Sequence, residues 1–337
     1  DDHLEFVREE TRKYLSRKTA PEMQAKMTRF DLAILVNPEE LKPPSNAKAL
    51  QKFAKAAQEM GMSCEFITKG DMSRLGEFDG LFIRETTSVN HHTYRMARRA
   101  HANGLIVIDD PQSILRCCNK VFLHELMEKH KIPVPKTTII DKEHLDDIAL
   151  TMTYPCVLKR PDSAFSQGVI KVSSPKDFLE RCNEMLEQSD LILAQEYLPT
   201  DFDWRVGVLD GEPLYCCRYF MVKNHWQICK ATKTGKMREG DSAGVPLDKA
   251  PPGLLKLASR AANLIGDGLY GVDIKEINGS FYVMEINDNP SIDAGFEDAV
   301  IKDELYRKII HSLCVRMEEG QEKARKQIPK KHGAPTH

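Results

Sequence analysis

The sequence predicts a mixed α/β fold, α+β in its larger second part, with a small parallel α/β domain in front. Three observations carry this expectation. Strand-like apolar runs alternate with helical patterns through residues 28–115, the mark of a small parallel α/β domain. Later runs, Tyr154 to Leu158 and Leu191 to Ala194, are apolar and then turn polar, as buried strands do where they reach a site. Finally, Gly271-Val272-Asp273-Ile274 and Val283-Met284-Glu285-Ile286-Asn287 flank Asn278-Gly279, a strong signal for a tight hairpin. A chain of 337 residues with 41% hydrophobic and 29% charged residues has the material for two cores.

Residues 1–27 begin without methionine and read as a charged helix, the remnant of a longer N-terminal region. Leu32 to Val36 is a buried-type strand. Pro43-Pro44-Ser45-Asn46 then breaks the chain and offers a cap for a helix from Ala47 to Met60, ended by Gly61. Cys64 to Ile67, Gly80 to Ile83 and Leu105 to Ile108 continue as strands, with a helix from about His92 to Ala102. His91-His92 is not read as a metal pair, because adjacent residues on a helix point apart, and His92 is expected to open that helix. Asp109-Asp110-Pro111 reads as a strand end followed by a helix cap. Domain borders are expected at 27/28, 115/116 and 317/318, with 318–337 a flexible, lysine-rich tail.

On the predicted hairpin Asp273 and Glu285 face each other. Two buried acids side by side require a shared proton or a hard cation. Asn287, two residues after Glu285 on the same face, favours the cation. A carboxyl, carboxyl and amide set suits octahedral Mg²⁺, or Mn²⁺ in its place, with positions left for water and phosphate. The plainer alternative is a hairpin whose acids are merely solvated.

Upstream, Lys120 opens an amphipathic helical stretch that ends before Pro133, and Lys159 closes a buried strand, where an unpaired ammonium is costly and an anion relieves it. The small polar loop from Asp162 through Ser166 and Gln167 to Gly168 could fold its N–H groups over phosphate oxygens, although it matches no Walker or dinucleotide spacing. Gln195-Glu196-Tyr197-Leu198 ends a strand that could meet a purine, either through the Glu196 carboxylate or its carbonyl, with Asp203 placed for ribose hydroxyls. An ordinary strand end is the alternative there. Arg84 follows a strand at its carboxyl end and is read as a contact for substrate carboxylate, or as a surface ion pair.

These motifs, in this order over residues from about 116 to 315, resemble the ATP-grasp ligases, and among them the RimK-type glutamate ligases. The resemblance implies an ATP-grasp fold behind a smaller pre-ATP-grasp domain. It implies that Lys120 and Lys159 contact nucleotide phosphates, that residues 163–168 close over them, and that Gln195 to Leu198 form the adenine hinge. It further implies that Asp203 holds the ribose, and that Asp273, Glu285 and Asn287 hold Mg²⁺. After Asn287 the chain departs from the RimK pattern, reading Asp288-Asn289-Pro290-Ser291-Ile292-Asp293, so the acceptor pocket differs; Asn289 joins Arg84 as an expected substrate contact. D-alanine ligases carry an arginine where Gly271 stands, so an oxyanion-stabilising arginine must come from Arg205 or Arg218, with Lys230 as a further cation.

The implied reaction is ATP-dependent joining of a peptide or small-molecule carboxylate to an amine, glutamate or a similar amino acid, through an acylphosphate. A phosphotransferase and a non-catalytic nucleotide-binding regulator are the alternatives. Formal net charge of -2 gives no reason to expect nucleic acid or an anionic membrane as partner, and no secretory or membrane-length apolar run occurs, so a cytoplasmic protein is expected, with a homo-oligomer left open. Nine cysteines without a Cys-x-x-Cys pattern read as small buried hydrophobes.

Overall fold

The computed structural model describes residues 28–162, 168–231 and 237–327. Strands β1 (Asp31–Leu35), β2 (Ser63–Ile67), β3 (Gly80–Ile83) and β4 (Ile106–Ile108) form a parallel sheet in the order β2-β1-β3-β4. Helices α1 (Ala47–Glu59) and α2 (His92–Ala102) join them. The Asn46 side chain caps α1 by accepting from the Ala49 N–H, as the Ser-Asn break predicts. Helix α3 (Pro111–Cys117) starts from Asp110, whose carboxylate accepts from Gln112 and Ser113 N–H with Pro111 at the first helical position. The border expected at 115/116 therefore falls inside a helix, and the break lies at Cys118-Asn119 instead.

The second part opens with α4 (Lys120–Lys129), capped by the Asn119 side chain. Strands β5 (Thr137–Ile140), β6 (Cys156–Lys159), β7 (Val169–Val172) and β8 (Ile192–Glu196) make an antiparallel sheet ordered β5-β8-β6-β7. Its Leu158, Val172, Ile192 and Ala194 face packs on Leu145 and Ala149 of α5 (Leu145–Thr151) and on Phe178 and Cys182 of α6 (Pro175–Leu186). Alternation along the strands sends Lys159, Leu193 and Gln195 to the opposite face.

A larger sheet follows, made of β9 (Phe202–Leu209), β10 (Glu212–Phe220), β13 (Ser242–Gly244), β14 (Leu269–Ile277) and β15 (Ser280–Asn287) in the order β13-β10-β9-β14-β15. The short strands β11 (Cys229–Ala231) and β12 (Met237–Glu239) pair separately. Asn278 and Gly279 both take positive φ, +50° and +78°, the backbone of the type I′ turn that the sequence signals. One face of this sheet, with Trp204, Val206, Val272 and Ile274, is buried under α7 (Pro252–Ala262) and α4. Burying each such aliphatic side chain contributes roughly 1.5–3 kcal/mol. The other face is divided. Leu209, Tyr215, Cys217 and Leu269 join a core shared with Phe53, Phe82 and Tyr306 of the first domain and the last helix. The residues farther along the same strands, Asp203, Arg205, Asp273, Lys275 and Glu285, are thereby left for the site.

The last helix, α8 (Asp303–Gln327), corrects the border at 317/318. It runs ten residues past Met317 without an apolar stripe, supported by Glu319–Lys323 and Glu322–Lys326 ion pairs at i,i+4 spacing. Arg29 also pairs with Glu318, so this turn is tied to the first domain. The expectations for residues 1–27 and 328–337 lie outside the described residues. Among the described residues, no helix is long and apolar enough to cross a membrane.

Candidate functional site

Register across the large sheet places Glu285, Asp273 and Arg205 side by side on adjacent strands β15, β14 and β9, with Asn287 opposite Gly271 one step along the same face. The expected facing of Asp273 and Glu285 is thus present. Arg205 grips Asp273 through two hydrogen bonds, Nη2 to Oδ2 at 2.9 Å and Nε to Oδ1. Asn287 Nδ2 lies 3.3 Å from Asp273 Oδ2. Burial raises the proton affinity of Asp273, and the Arg205 guanidinium opposes that rise.

Lys120, at the first position of α4, donates to Glu285 Oε1 at 2.7 Å. Lys159, at the end of β6, donates to Gln195 Oε1 at 2.8 Å. Burial alone would raise Glu285, but the two ammonium groups pull it below the usual glutamate value, so it stays ionised. Burial pushes Lys159 down to about 8, with the Glu285 charge opposing. These residues line one cleft with Leu123, Met127, Leu193 and Met284. Its apolar walls and single cationic end suit a ligand with a flat ring and a polyanionic tail.

The hinge segment is more engaged than its sequence suggests. Gln195 Nε2 donates to Thr137 Oγ1 at 3.0 Å, and the Glu196 carboxylate accepts from the Lys136 N–H at 2.8 Å, so both side chains are already engaged. Asp203 accepts from Thr200 Oγ1 and pairs with Lys275. Lys275 was missed by the sequence reading, although it sits two residues after Asp273 and so shares its face. Lys171, also missed, stands 3.6 Å over the Tyr197 ring at the hinge. Gly168 has φ +68°, a conformation suited to glycine, and its carbonyl accepts from the Arg160 N–H. Ser166 and Gln167 lie outside the described residues, as does the Lys230 side chain.

Three expectations are corrected. Arg218 aligns with Trp204, not with Arg205, and its guanidinium stacks on Phe202 and Trp204 at 4.8 and 4.6 Å on the opposite face of the sheet. It faces away from Asp273, whereas Arg205 pairs with that residue. A Cβ at Gly271 would meet Arg205 Cδ at 3.2 Å, which shows Arg205 filling the space over that glycine. Arg84 is not a substrate contact: it is 1% exposed, and its donors reach Ser45 Oγ, Asn289 Oδ1 and the Pro44 and Pro290 carbonyls. Asn289 is consumed likewise, accepting from Arg84 and donating to the Glu85 carbonyl at 2.7 Å. The run that departs from the RimK pattern is a clasp between domains, with Asp293 accepting from the Asn46 N–H and Asp298 pairing with Lys52.

A sequence profile of the RimK-like ATP-grasp domain matches residues 117–313. Among curated relatives, the "Alpha-aminoadipate--LysW ligase LysX" of Saccharolobus solfataricus is 29% identical over 195 residues, 56% of this chain and 67% of that protein. The "Tetrahydromethanopterin:alpha-L-glutamate ligase" of Methanocaldococcus jannaschii is 25% identical over 260 residues, 74% of this chain and 85% of that protein. In fold, a RimK domain ATP-grasp protein of Sphaerobacter thermophilus superposes with a TM-score of 0.61 at 17% identity, covering 84% of this chain and 99% of that one. The profile match spans more than half of the chain, which belongs to the RimK-like ATP-grasp family of ligases.

Proposed function

We propose that the chain is an ATP- and Mg²⁺-dependent carboxylate–amine ligase that adds glutamate or a similar amino acid to a peptide or small-molecule carboxylate. The observation that carries this reading is Glu285, which shares one cleft with Lys120 and Lys159 and heads the row Glu285, Asp273 and Arg205 on the large sheet. The donor set fits Mg²⁺: two carboxylates offer oxygen to a hard cation, a flip of the Asn287 amide, whose nitrogen now faces Asp273, adds a third, and the cations now neutralising the acids, Lys120 and Arg205, are phosphate-binding groups. Bound there, Mg²⁺ would neutralise charge on the nucleotide phosphates.

Within that reading the adenine lies between Met127, Leu193 and Met284, the Glu196 carbonyl accepts from its amino group, and Asp203 with Lys275 meets the ribose. Lys120 and Lys159 hold the phosphates. The substrate carboxylate attacks the γ-phosphorus, ADP leaves, and the amine then displaces phosphate from the acylphosphate. Arg205 stabilises oxyanion charge as each bond changes, since such transfers depend on positioning and charge more than on a side-chain base. Residues 163–168 exclude water from the acylphosphate.

A screen of carboxylate and amine pairs, followed by phosphate release and mass detection of product, tests the reading. Phosphate release that requires both partners, with a product of amide mass, is expected. ADP formation without any amine would identify a phosphotransferase instead.

A further inference from the structure

We infer that Glu85, His91 and His92 form a second metal site, separate from the oxygen-rich one and suited to a borderline divalent cation such as Zn²⁺. The donor atoms of these three side chains lie within 4.8 Å of one another. Two imidazoles and one carboxylate are a recurrent zinc set with a fourth position left to water, and its tetrahedral edges are about 3.3 Å, a short rotation from the arrangement present.

His91 and His92 do not diverge as two helical neighbours would. His91 is not helical: it precedes α2 with φ -101° and ψ 164°, so its side chain escapes the helical fan, and the two rings stand 3.8 Å apart. Glu85 leaves the carboxyl end of β3 and is buried, while His92 keeps one nitrogen 2.9 Å from its carboxylate. A cation would take the place of that contact. Two of the three ligands, Glu85 and His91, are also oriented from behind, as metal ligands are. Asn37 Nδ2 donates to Glu85 Oε1 at 3.1 Å, and His91 Nδ1 lies 3.1 Å from Thr93 Oγ1.

The position gives the ion a purpose. The Glu85 carbonyl accepts from Asn289, and Thr87 Oγ1 donates to Asp288 at 2.8 Å, so residues 84–92 hold the segment that follows metal strand β15. An ion on Glu85, His91 and His92 fixes that loop against the site without touching nucleotide. The inference does not depend on the ligase reading.

The test is a Co²⁺ titration of the chelator-treated full chain in millimolar Mg²⁺, which keeps the oxygen site filled. One equivalent producing the intense visible bands of tetrahedral Co²⁺, bleached by Zn²⁺, is expected. A His91→Gln, His92→Gln double variant should lose the bands, and Zn²⁺ should raise the thermal midpoint of the wild type but not of the variant. Absence of tetrahedral bands in the wild type would overturn the inference, whatever the variant does. Undiminished bands in a variant with a cooperative melt would overturn it equally, leaving a hydrogen-bonded histidine pair.

Discussion

Lys120 Nζ lies 2.7 Å from Glu285 Oε1, so the first residue of α4 closes onto the last strand of the large sheet. Without nucleotide, this pair keeps a half-buried carboxylate charged and a lysine ordered. On the proposed reading, Mg²⁺ would replace Lys120 at Glu285 and phosphate would replace Glu285 at Lys120. The site is thus arranged before it is filled, which lowers the reorganisation needed on binding.

On the proposed reading, replacing Glu285 by Gln removes one metal ligand and keeps the side chain's size. Turnover should fall on the order of 10²–10³-fold, the range for losing a group that stabilises developing charge. The melt should shift by no more than about 1 kcal/mol, because the Lys120 pair is partly solvated. Phosphate release and thermal unfolding check this, and a wild-type rate would contradict the assignment of Glu285.

Arg84→Gln separates a structural from a substrate role. As a fully buried guanidinium holding Ser45, Asn289 and two carbonyls, Arg84 should cost about 3–5 kcal/mol of stability when truncated. Denaturant unfolding reads that loss. A stable variant with a raised KM for the carboxylate would restore the substrate role.

Lys159 predicts a pH dependence of nucleotide affinity. Burial holds it at about 8 in the free protein, so it loses its proton as pH rises through that value, and phosphate then meets a neutral amine. ATP affinity should decline from pH 7.5 to 9.5, and Lys159→Arg should flatten the decline. The sign for stability is opposite. The unfolded lysine binds its proton up to about 10.4, so this group's effect on stability becomes more favourable as pH rises from about 8 to that value. Calorimetric ATP titrations across the range decide the matter.

Gly271→Ala probes the arginine in place. Its Cβ would stand 2.7 Å from Pro290 Cβ and 3.2 Å from Arg205 Cδ, so strand or arginine must move. A loss of about 1–3 kcal/mol is expected for such overpacking, with kcat reduced more than the KM for ATP. An unchanged kcat would mean that the strand yields with Arg205 in place, or that Arg205 has no part in the chemistry.

The parts legible in the sequence are those set by local rules. Asn278-Gly279 dictates its turn, the turn dictates register, and register brings Asp273 to Glu285. Asn46 and Asp110 mark helix starts because a cap depends only on the next three residues. Non-local choices were not legible. The acceptors of Arg84 come from residues 44, 45, 289 and 290, and nothing near Arg84 in sequence indicates them. Arg218 reads like Arg205 until the pairing of β9 with β10 assigns the two to opposite faces. Residues 318–327 lack an apolar stripe, yet i,i+4 ion pairs and the grip of Arg29 on Glu318 continue the helix.

Isothermal titration with a non-hydrolysable ATP analogue, with and without Mg²⁺, tests the central claim most directly. Tight binding that needs the cation in the wild type, and that weakens at least tenfold in Glu285→Gln, is predicted. Binding of equal strength with and without Mg²⁺, or no binding at all, would contradict the account.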